Sequence, residues 1–313
     1  MARLGWGANK RANTANAMSA GLFRRRPAST PSRLPVTERD QEVRERFGDD
    51  IGTVVMSILA VTAWMLGEVD RARELIDGAT LRATKLGHRV SEAHPLICRS
   101  ILELLRGDAT AALSAAEDLE ALSREQGMPF WLAGGEMVSG WARGHLGDPV
   151  LGAAQLQRAL TSCADQGTRM SARFYQGLLA EIEAETLGVE SALARIEEAL
   201  TDADQVEYRW DLAFIHRLHG SLLLKRNPDD PAAAEVAFQT AIAVAKEQGA
   251  RSYELLASLS LAKLYQETGR PAEARAVLEP ALEGFSPTVE MPEIAEAQAL
   301  LVAIEAGAHV RHE

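Results

Sequence analysis

Few residues of this 313-residue chain have the type and spacing for chemistry, and the clearest are two histidines. His216 and His219 lie three residues apart, so on a helix they share one face and could bind a metal ion together with a third ligand. No third ligand can be identified in the sequence, and two histidines alone make an incomplete site. We therefore interpret them as a partly exposed structural pair beside Arg217.

The two cysteines give no sign of a disulfide framework or of a cysteine-type zinc site. Cys98 and Cys163 lie far apart, and there is no second pair. Such a framework needs an even set at defined spacings, and a zinc site needs more sulfur or histidine ligands. Reduced, buried thiols are the default interpretation, which fits a cytoplasmic protein.

Sequence motifs that bring catalytic groups together are absent. There is no Gly-Lys pair, so a glycine-rich phosphate loop has no place in the chain. A Gly-x-Ser-x-Gly elbow, a His-Glu-x-x-His helix and the alternating pattern of strands are missing as well. The sequence therefore predicts no catalytic residue, no cofactor and no metal, and the chain is expected not to be an enzyme.

The strongest pattern is a repeat with a period of 40 residues. One small residue recurs once in each unit, with a slip of two residues before the last unit, at Ala60, Ser100, Gly140, Ala180, Gly220 and Ala262. A period of 20 to 50 residues is typical of solenoids, in which each unit buries its apolar face only by stacking on its neighbours. The slip falls in a proline-rich turn at residues 227–231, where an insertion costs little.

Three further columns keep the same register in the second half of each unit. Two of them are mostly small, at Ala72, Ala112, Gly152, Ala192, Ala234 and Ala274, and at Ala79, Leu119, Ala159, Ala199, Ala241 and Ala281. A mostly bulky column lies between them, at Ile76, Ala116, Leu156, Ile196, Phe238 and Leu278. Intervals of four and three residues place all three columns on one helix face.

Turn residues divide each unit into two helices. Gly67, Gly107 and Gly147 are placed to end the first helix in a left-handed conformation, and Asp108 or Asp148 can cap the second. Glycines close the second helix of four units at Gly87, Gly127, Gly167 and Gly249.

These signals predict an all-α fold, a right-handed superhelix of about six helix pairs. The six pairs are expected over residues 47–286, a capping helix over 287–306 and a short tail over 307–313. Residues 1–46 are basic and are expected to be disordered, because they lack an apolar period. They also leave open a start-site artefact, in which the assigned translation start is not the real one.

The columns resemble the tetratricopeptide repeat, whose helix pair has small residues at the same places and a typical length of about 34 residues. Longer strings resemble the C-terminal repeat region of large bacterial signalling ATPases that often also carry an adenylate or guanylate cyclase domain. These strings are residues 130–133 (FWLA) with 139–142 (SGWA), 215–224 (IHRLHGSLLL), and 248–250 (QGA) with 260–264 (SLAKL). The resemblance covers roughly residues 43–303 and implies a bacterial signalling context.

Tetratricopeptide geometry implies that the first helix of each unit lines a concave groove. The inward positions and their neighbours are Trp64, His94, Trp141, Phe174, Glu181, Phe214, Arg217 and Lys263. Tryptophan and arginine often anchor interfaces, and Arg217 with Lys263 could hold an acidic peptide or a carboxylate. The alternative for Trp64 and Trp141 is that they only fill gaps between long helices.

Charge and hydropathy narrow the partners. The net charge is −11, yet residues 1–37 hold seven of the 33 Lys and Arg residues and none of the 44 acidic ones. The rest of the chain is therefore strongly acidic, and it is a poor surface for nucleic acid except through the basic N-terminal segment. The longest apolar run, residues 54–66, is shorter than the roughly 20 residues that span a bilayer.

We therefore expect a non-enzymatic, cytoplasmic module that binds a protein or peptide and scaffolds or regulates a cyclase or ATPase signalling system. Two alternatives remain open at this level. The chain could be the fragment of an adenylate or guanylate cyclase that lacks its catalytic domain. It could also be a regulatory fragment of a transcriptional activator.

Overall fold

The computed structural model describes residues 49–168, 171–201 and 209–310. These residues form thirteen α-helices and one short 3₁₀ helix, with no strand among them. The helices are α1 Ile51–Met65, α2 Val69–Leu86, α3 Ala93–Leu105, α4 Ala109–Gln126, α5 Pro129–His145, α6 Pro149–Asp165, α7 Ala172–Thr186, α8 Val189–Thr201, α9 Leu212–Arg226, α10 Ala232–Gln248, α11 Arg251–Glu267, α12 Pro271–Leu282 and α13 Glu293–Val310. The all-α prediction is confirmed, whereas the predicted disorder of residues 1–46 lies outside the described residues.

The helices belong to two compact units, which divide between Thr186 and Leu187, except that Met65–Gly67, at and just after the end of α1, belong to the second unit. In the first unit α5 packs against both α4 and α6, and α3 packs against α4. In the second unit α9 packs against α10, and α11 against α12. Each of these packed pairs is consecutive in the chain and joined by a short turn, so its helices run antiparallel.

The small and bulky columns of the repeat form the core of both units. All six residues of the first column are buried, from Ala60 to Ala262, and so are those of the other three columns. At Gly140 an added Cβ would lie 2.8 Å from the backbone nitrogen of Leu156. At Gly152 it would lie 2.5 Å from the carbonyl oxygen of Gly140. The backbones of α5 and α6 therefore touch directly.

The structure contains the helix caps and the helix-ending glycines that the sequence predicts. Asp108 accepts a hydrogen bond from the Ala111 amide at 2.9 Å, and Asp148 accepts one from the Leu151 amide at 3.1 Å, so both cap the following helix. Gly87 and Gly127 end α2 and α4 with φ of 59° and 63°. A Cβ at either glycine would meet nothing within 4 Å, so only the left-handed backbone requires glycine there.

The last helix differs from the predicted capping segment in its bounds. It begins at Glu293 and continues to Val310, so it starts later than residue 287 and extends into the predicted tail. Pro287 and Pro292 explain the late start, because the residue before a proline avoids the helical region. Met291, Ile294 and Ala297 are buried against the unit, as a cover for an exposed stacking face requires.

A buried ion pair connects the start of α1 to α2. Arg82 Nε lies 2.6 Å from Asp50 Oδ2, and both side chains are almost completely buried. Burial alone would raise the pKa of Asp50, but hydrogen bonds from Arg82 and Thr53 outweigh it and hold that pKa below its ordinary value. Asp50 therefore stays ionised inside the protein.

The close approach of α5 and α6 predicts opposite effects for two glycine substitutions on neighbouring helices. Gly152→Ala forces a methyl group into backbone atoms that cannot move aside, so we expect a loss of about 1 to 3 kcal/mol in the free energy of unfolding. Gly134→Ala is the matched control, because its Cβ would lie 3.3 Å from the flexible end of Ile97. It should be neutral or stabilising by up to about 1 kcal/mol, through helix propensity. Urea unfolding of the two variants checks this, and equal effects would contradict it.

The Asp50–Arg82 pair predicts a large effect of truncation and a defined pH dependence. Arg82→Met leaves a buried carboxylate without its ion-pair partner and should cost about 3 to 5 kcal/mol, whereas Arg71→Met at the partly exposed Glu68 pair should cost less than about 1 kcal/mol. Because the folded pKa of Asp50 is lowered, its contribution is complete above the ordinary value of 3.8 and is lost as pH falls through the lowered pKa. Unfolding curves from pH 7 to pH 3 measure both effects. An Arg82→Met variant as stable as wild type at pH 7 would refute the assignment.

Candidate partner-binding surface

Four of the predicted groove residues are buried. The side chains of Trp64, Trp141, Phe174 and Phe214 are each less than 10% exposed. Rings at this depth fill space between helices, so they offer no open surface to a ligand in this arrangement. The packing interpretation therefore suits Trp64 and Trp141 better than the anchoring one.

In the first unit the structure brings two of the predicted residues close together through a third. Trp141 stacks on His145 of the same helix, with ring centroids 4.5 Å apart. His145 Nε2 lies 3.7 Å from the carboxylate of Glu181 on α7. His145 and Glu181 are both partly exposed, so this is a polar edge beside a buried ring.

His94 stands apart from that group. Its Nδ1 lies 3.2 Å from the carboxylate of Asp49, and its ring meets the edge of Trp131 with centroids 4.5 Å apart. Trp131 is only partly buried and packs on a small cluster that includes Leu119 and Leu122. The His94 ring therefore contacts other residues of the same protein, namely Asp49 and Trp131.

In the second unit Arg217 lies on an aromatic surface. Its guanidinium carbon is 5.7 Å from the centroid of the Phe214 ring, and that ring lies 6.3 Å from Tyr253 on α11. The Nε atom of Arg217 is buried and has no hydrogen-bond partner among the described residues. A buried guanidinium nitrogen without an acceptor is costly, so Arg217 carries an unmet hydrogen-bonding capacity.

Two glutamates of α13 lie beside these cations. Lys263 pairs with Glu296 at 2.7 Å, and both side chains remain about half exposed. Glu293 is more deeply placed, and its burial raises its pKa in spite of the opposing charges of Arg217 and Lys263. The first turn of α13 therefore brings carboxylates to the cationic surface, while the Nε atom of Arg217 has no hydrogen-bond partner among the described residues.

Sequence reasoning found Arg217 and Lys263 but missed Tyr253, Glu293 and Glu296. The acidic pair had a readable signal, because two glutamates three residues apart open the helix after Pro292. Tyr253 had none, because its role depends on how α9 and α11 rotate against each other.

The histidine pair and the cysteines behave as structural residues. Burial lowers the pKa of both His216 and His219, so both are neutral at physiological pH. No cluster of three potential metal-ligating side chains occurs in the described residues. Burial raises the pKa of the Cys98 thiol to about 12 and raises that of Cys163 as well, so neither is a reactive thiolate at neutral pH. Among the described helices none is long and apolar enough to cross a membrane.

The raised pKa of Glu293 predicts a stabilising substitution. Glu293→Gln mimics the neutral carboxyl, so the variant should match wild type below the ordinary glutamate value of 4.5 and become more stable as pH rises through the raised pKa. The control is Glu296→Gln, which loses the pair with Lys263 and should be less stable by about 0.2 to 1 kcal/mol at pH 8. Chemical unfolding at pH 4 and pH 8 measures both variants. A Glu293→Gln protein that is less stable than wild type at pH 8 would contradict the prediction.

Comparison with known proteins identifies solved structures with a similar fold. No protein-family model matches the chain. The crystal structure of NprR in complex with its cognate peptide NprX is similar, with a TM-score of 0.59 and 14% identity, and the match covers 94% of this chain and 83% of NprR. The apo form of RapI is also similar, with a TM-score of 0.56 and 12% identity over 94% of this chain and 99% of RapI. Both are helical solenoids of the tetratricopeptide type, and this chain has the same fold.

A curated relative comes from Rhizobium meliloti (strain 1021) and is itself uncharacterised. It is 22% identical over 234 residues, which is 74% of this chain but only 23% of the relative. The chain therefore spans less than a quarter of the length of that relative.

Proposed function

We propose that this chain is a non-catalytic module that binds an acidic segment of a protein or peptide at the Arg217 surface of its second unit. The observation that carries the proposal is the state of Arg217. Its guanidinium rests on Phe214, and its buried Nε lacks a hydrogen-bond partner in the described part of the chain. A carboxylate can accept two parallel hydrogen bonds from such a group, which gives both affinity and a fixed orientation.

The charges around Arg217 favour an acidic ligand over a basic one. Lys263 lies on the adjacent helix of the unit, and Glu296 of α13 already pairs with it. That pair is half exposed and held by one contact, so a competing carboxylate can replace Glu296 at a cost of only about 0.2 to 1 kcal/mol. The first turn of α13 thus indicates the chemistry of the partner, namely a segment with carboxylates about one helical turn apart.

The fold supports a peptide or protein as the partner. NprR was crystallised with its cognate peptide, and the NprR structure matches 94% of this chain. Solenoids expose long surfaces of consecutive helices, which suit an extended or helical segment better than a small substrate. The absence of phosphate-loop and nucleophile motifs agrees with binding rather than catalysis.

The signalling context rests on the sequence. The strings around residues 130–142, 215–224 and 248–264 resemble the repeat region of bacterial ATPases with cyclase domains. The relative from Rhizobium meliloti contains the matching segment within a much longer chain. We therefore infer a cytoplasmic module that scaffolds or regulates a cyclase or ATPase signalling protein.

A capture experiment with matched baits tests the binding proposal. The baits are the intact chain, Arg217→Gln, and Arg226→Gln as the control, which removes an exposed arginine from the same helix. Trp141 is not substituted, because truncating a buried ring would destabilise the fold. Retained proteins from a lysate of the organism of origin are quantified by mass spectrometry.

We expect at least one protein with an acidic segment to be retained by wild type and by Arg226→Gln and to be reduced about tenfold or more on Arg217→Gln, since a charge-assisted hydrogen bond contributes about 1.5 to 3 kcal/mol. Circular dichroism of the three baits should be the same, which separates lost binding from lost folding. If the three baits retain the same proteins in the same amounts, the Arg217 surface is not the binding site. A partner that carries a cyclase or ATPase domain would support the signalling context.

A further inference from the structure

The first unit contains a charged cleft that the sequence analysis did not identify. It lies between α4, α5 and α6 and has a volume of about 450 Å³, which is within the range of small-molecule sites. Three arginines and three glutamates line it, together with Gln155.

A chain of hydrogen bonds through the buried Ser139 connects two residues that line this cleft, Glu120 and Gln155. The Ser139 hydroxyl donates to Glu120 Oε1 at 2.6 Å, and Gln155 Nε2 donates to Ser139 Oγ at 2.6 Å. Ser139 and Glu120 are buried, and the other oxygen of Glu120 accepts a hydrogen bond from Arg124 at 2.8 Å. Gly135 makes room for this arrangement, because a Cβ there would lie 2.9 Å from Glu120 Cγ.

Stacking of the repeats does not require this chain of hydrogen bonds, because other units have mostly apolar residues in the same columns. The column of Glu120 contains Thr80, Leu160, Leu200, Ile242 and Leu282 in the other units. The column of Ser139 contains Leu59, Arg99, Leu179, His219 and Leu261, and that of Gln155 contains Leu75, Ala115, Arg195, Ala237 and Val277. A buried carboxylate costs stability unless it is fully hydrogen-bonded, so these polar side chains indicate a task other than packing.

The arginines on the walls differ in their partners. Arg143 donates to Gln155 and to the half-exposed Glu117, the latter at 2.8 Å. Arg124 lies 3.7 Å from Glu136 in addition to its bond to Glu120. Arg158 is exposed and has no ion pair or side-chain hydrogen bond within the described ranges. Two of the three guanidinium groups therefore already bind carboxylates, and the third is open.

We propose that this cleft binds a small organic di- or tricarboxylate, with Arg158 as its main anchor. One carboxylate of the ligand forms a bidentate pair with Arg158. A second carboxylate takes the place of Glu117 at Arg143 or of Glu136 at Arg124, since both glutamates are at least one-third exposed and can turn to solvent. The Gln155 amide holds Arg143 in position, and the buried Ser139, bonded to Glu120, holds Gln155 in turn. This site lies in the other unit from Arg217 and does not depend on the function proposed there.

Isothermal titration calorimetry of the full chain with citrate and with succinate at low ionic strength and pH 7 tests the proposal. We expect both acids to bind and Arg158→Gln to weaken binding about tenfold or more. The matched control is Arg99→Gln, a partly exposed arginine of the same unit that pairs with Asp77 outside the cleft, and it should bind as wild type does. Acetate should bind more weakly than succinate, because it has one carboxylate.

Three outcomes would overturn the assignment. The first outcome is that neither citrate nor succinate binds to wild type at concentrations up to about 10 mM, because a Kd above that value is too weak for a specific site. Binding is unchanged in Arg158→Gln, which places it elsewhere. A capped peptide of three glutamates binds in an Arg158-dependent manner while citrate and succinate do not, which assigns the cleft to a protein partner.

Discussion

Direct contact between helix backbones is the constraint on which the rest of this structure depends. At the crossing of α5 and α6, Gly140 and Gly152 bring main-chain atoms so close that an added Cβ would lie 2.5 to 2.8 Å from them. At that separation the atoms of the two helices attract each other by dispersion without large side chains between them. The space between the backbones is too small for even one added methyl group. The other five units also have a small, buried residue at this position, namely Ala60, Ser100, Ala180, Gly220 and Ala262. The 40-residue period therefore keeps a small residue at this position of each unit.

Because the small and bulky columns of the repeat form the core, residues elsewhere on each helix can differ between units without loss of the packing. The polar residues of the two proposed binding sites all lie outside these columns. Arg217 lies on α9 three residues before Gly220, and Ser139 directly precedes Gly140. Neither is needed for stacking. Three other units have leucine in the column of Ser139, and the column of Arg217 contains Ser57, Ile97, Met137, Gly177 and Leu259 in the other units. A repeat protein can therefore change its ligands without changing its core, and its sites are found where one unit departs from the others.

The sequence predicted what depends on local spacing. The helix pairs, the Asp108 and Asp148 caps and the covering helix after Pro292 follow from residues close together in the chain. The surfaces depend instead on helix rotation, and residues adjacent in sequence point about 100° apart. That is why Trp141, placed by pattern on an inner face, is buried against His145. The Glu120 site joins three helices, and only a comparison of repeat columns could have revealed it.

The charge balance makes the state of the arginines informative. The chain has 44 acidic residues against 33 lysines and arginines, so carboxylates outnumber the side-chain cations. An arginine that lacks a carboxylate partner is therefore not explained by a lack of carboxylates. The Nε of Arg217 is buried and lacks an acceptor even though burial raises the pKa of the nearby Glu293. Burial disfavours the ionised form of the Glu293 carboxyl in spite of the opposing charge of Arg217, so Glu293 is a poor counter-ion for that guanidinium. An arrangement of this kind costs stability in the unbound protein, and the binding of an external carboxylate, as proposed for this surface, would offset that cost.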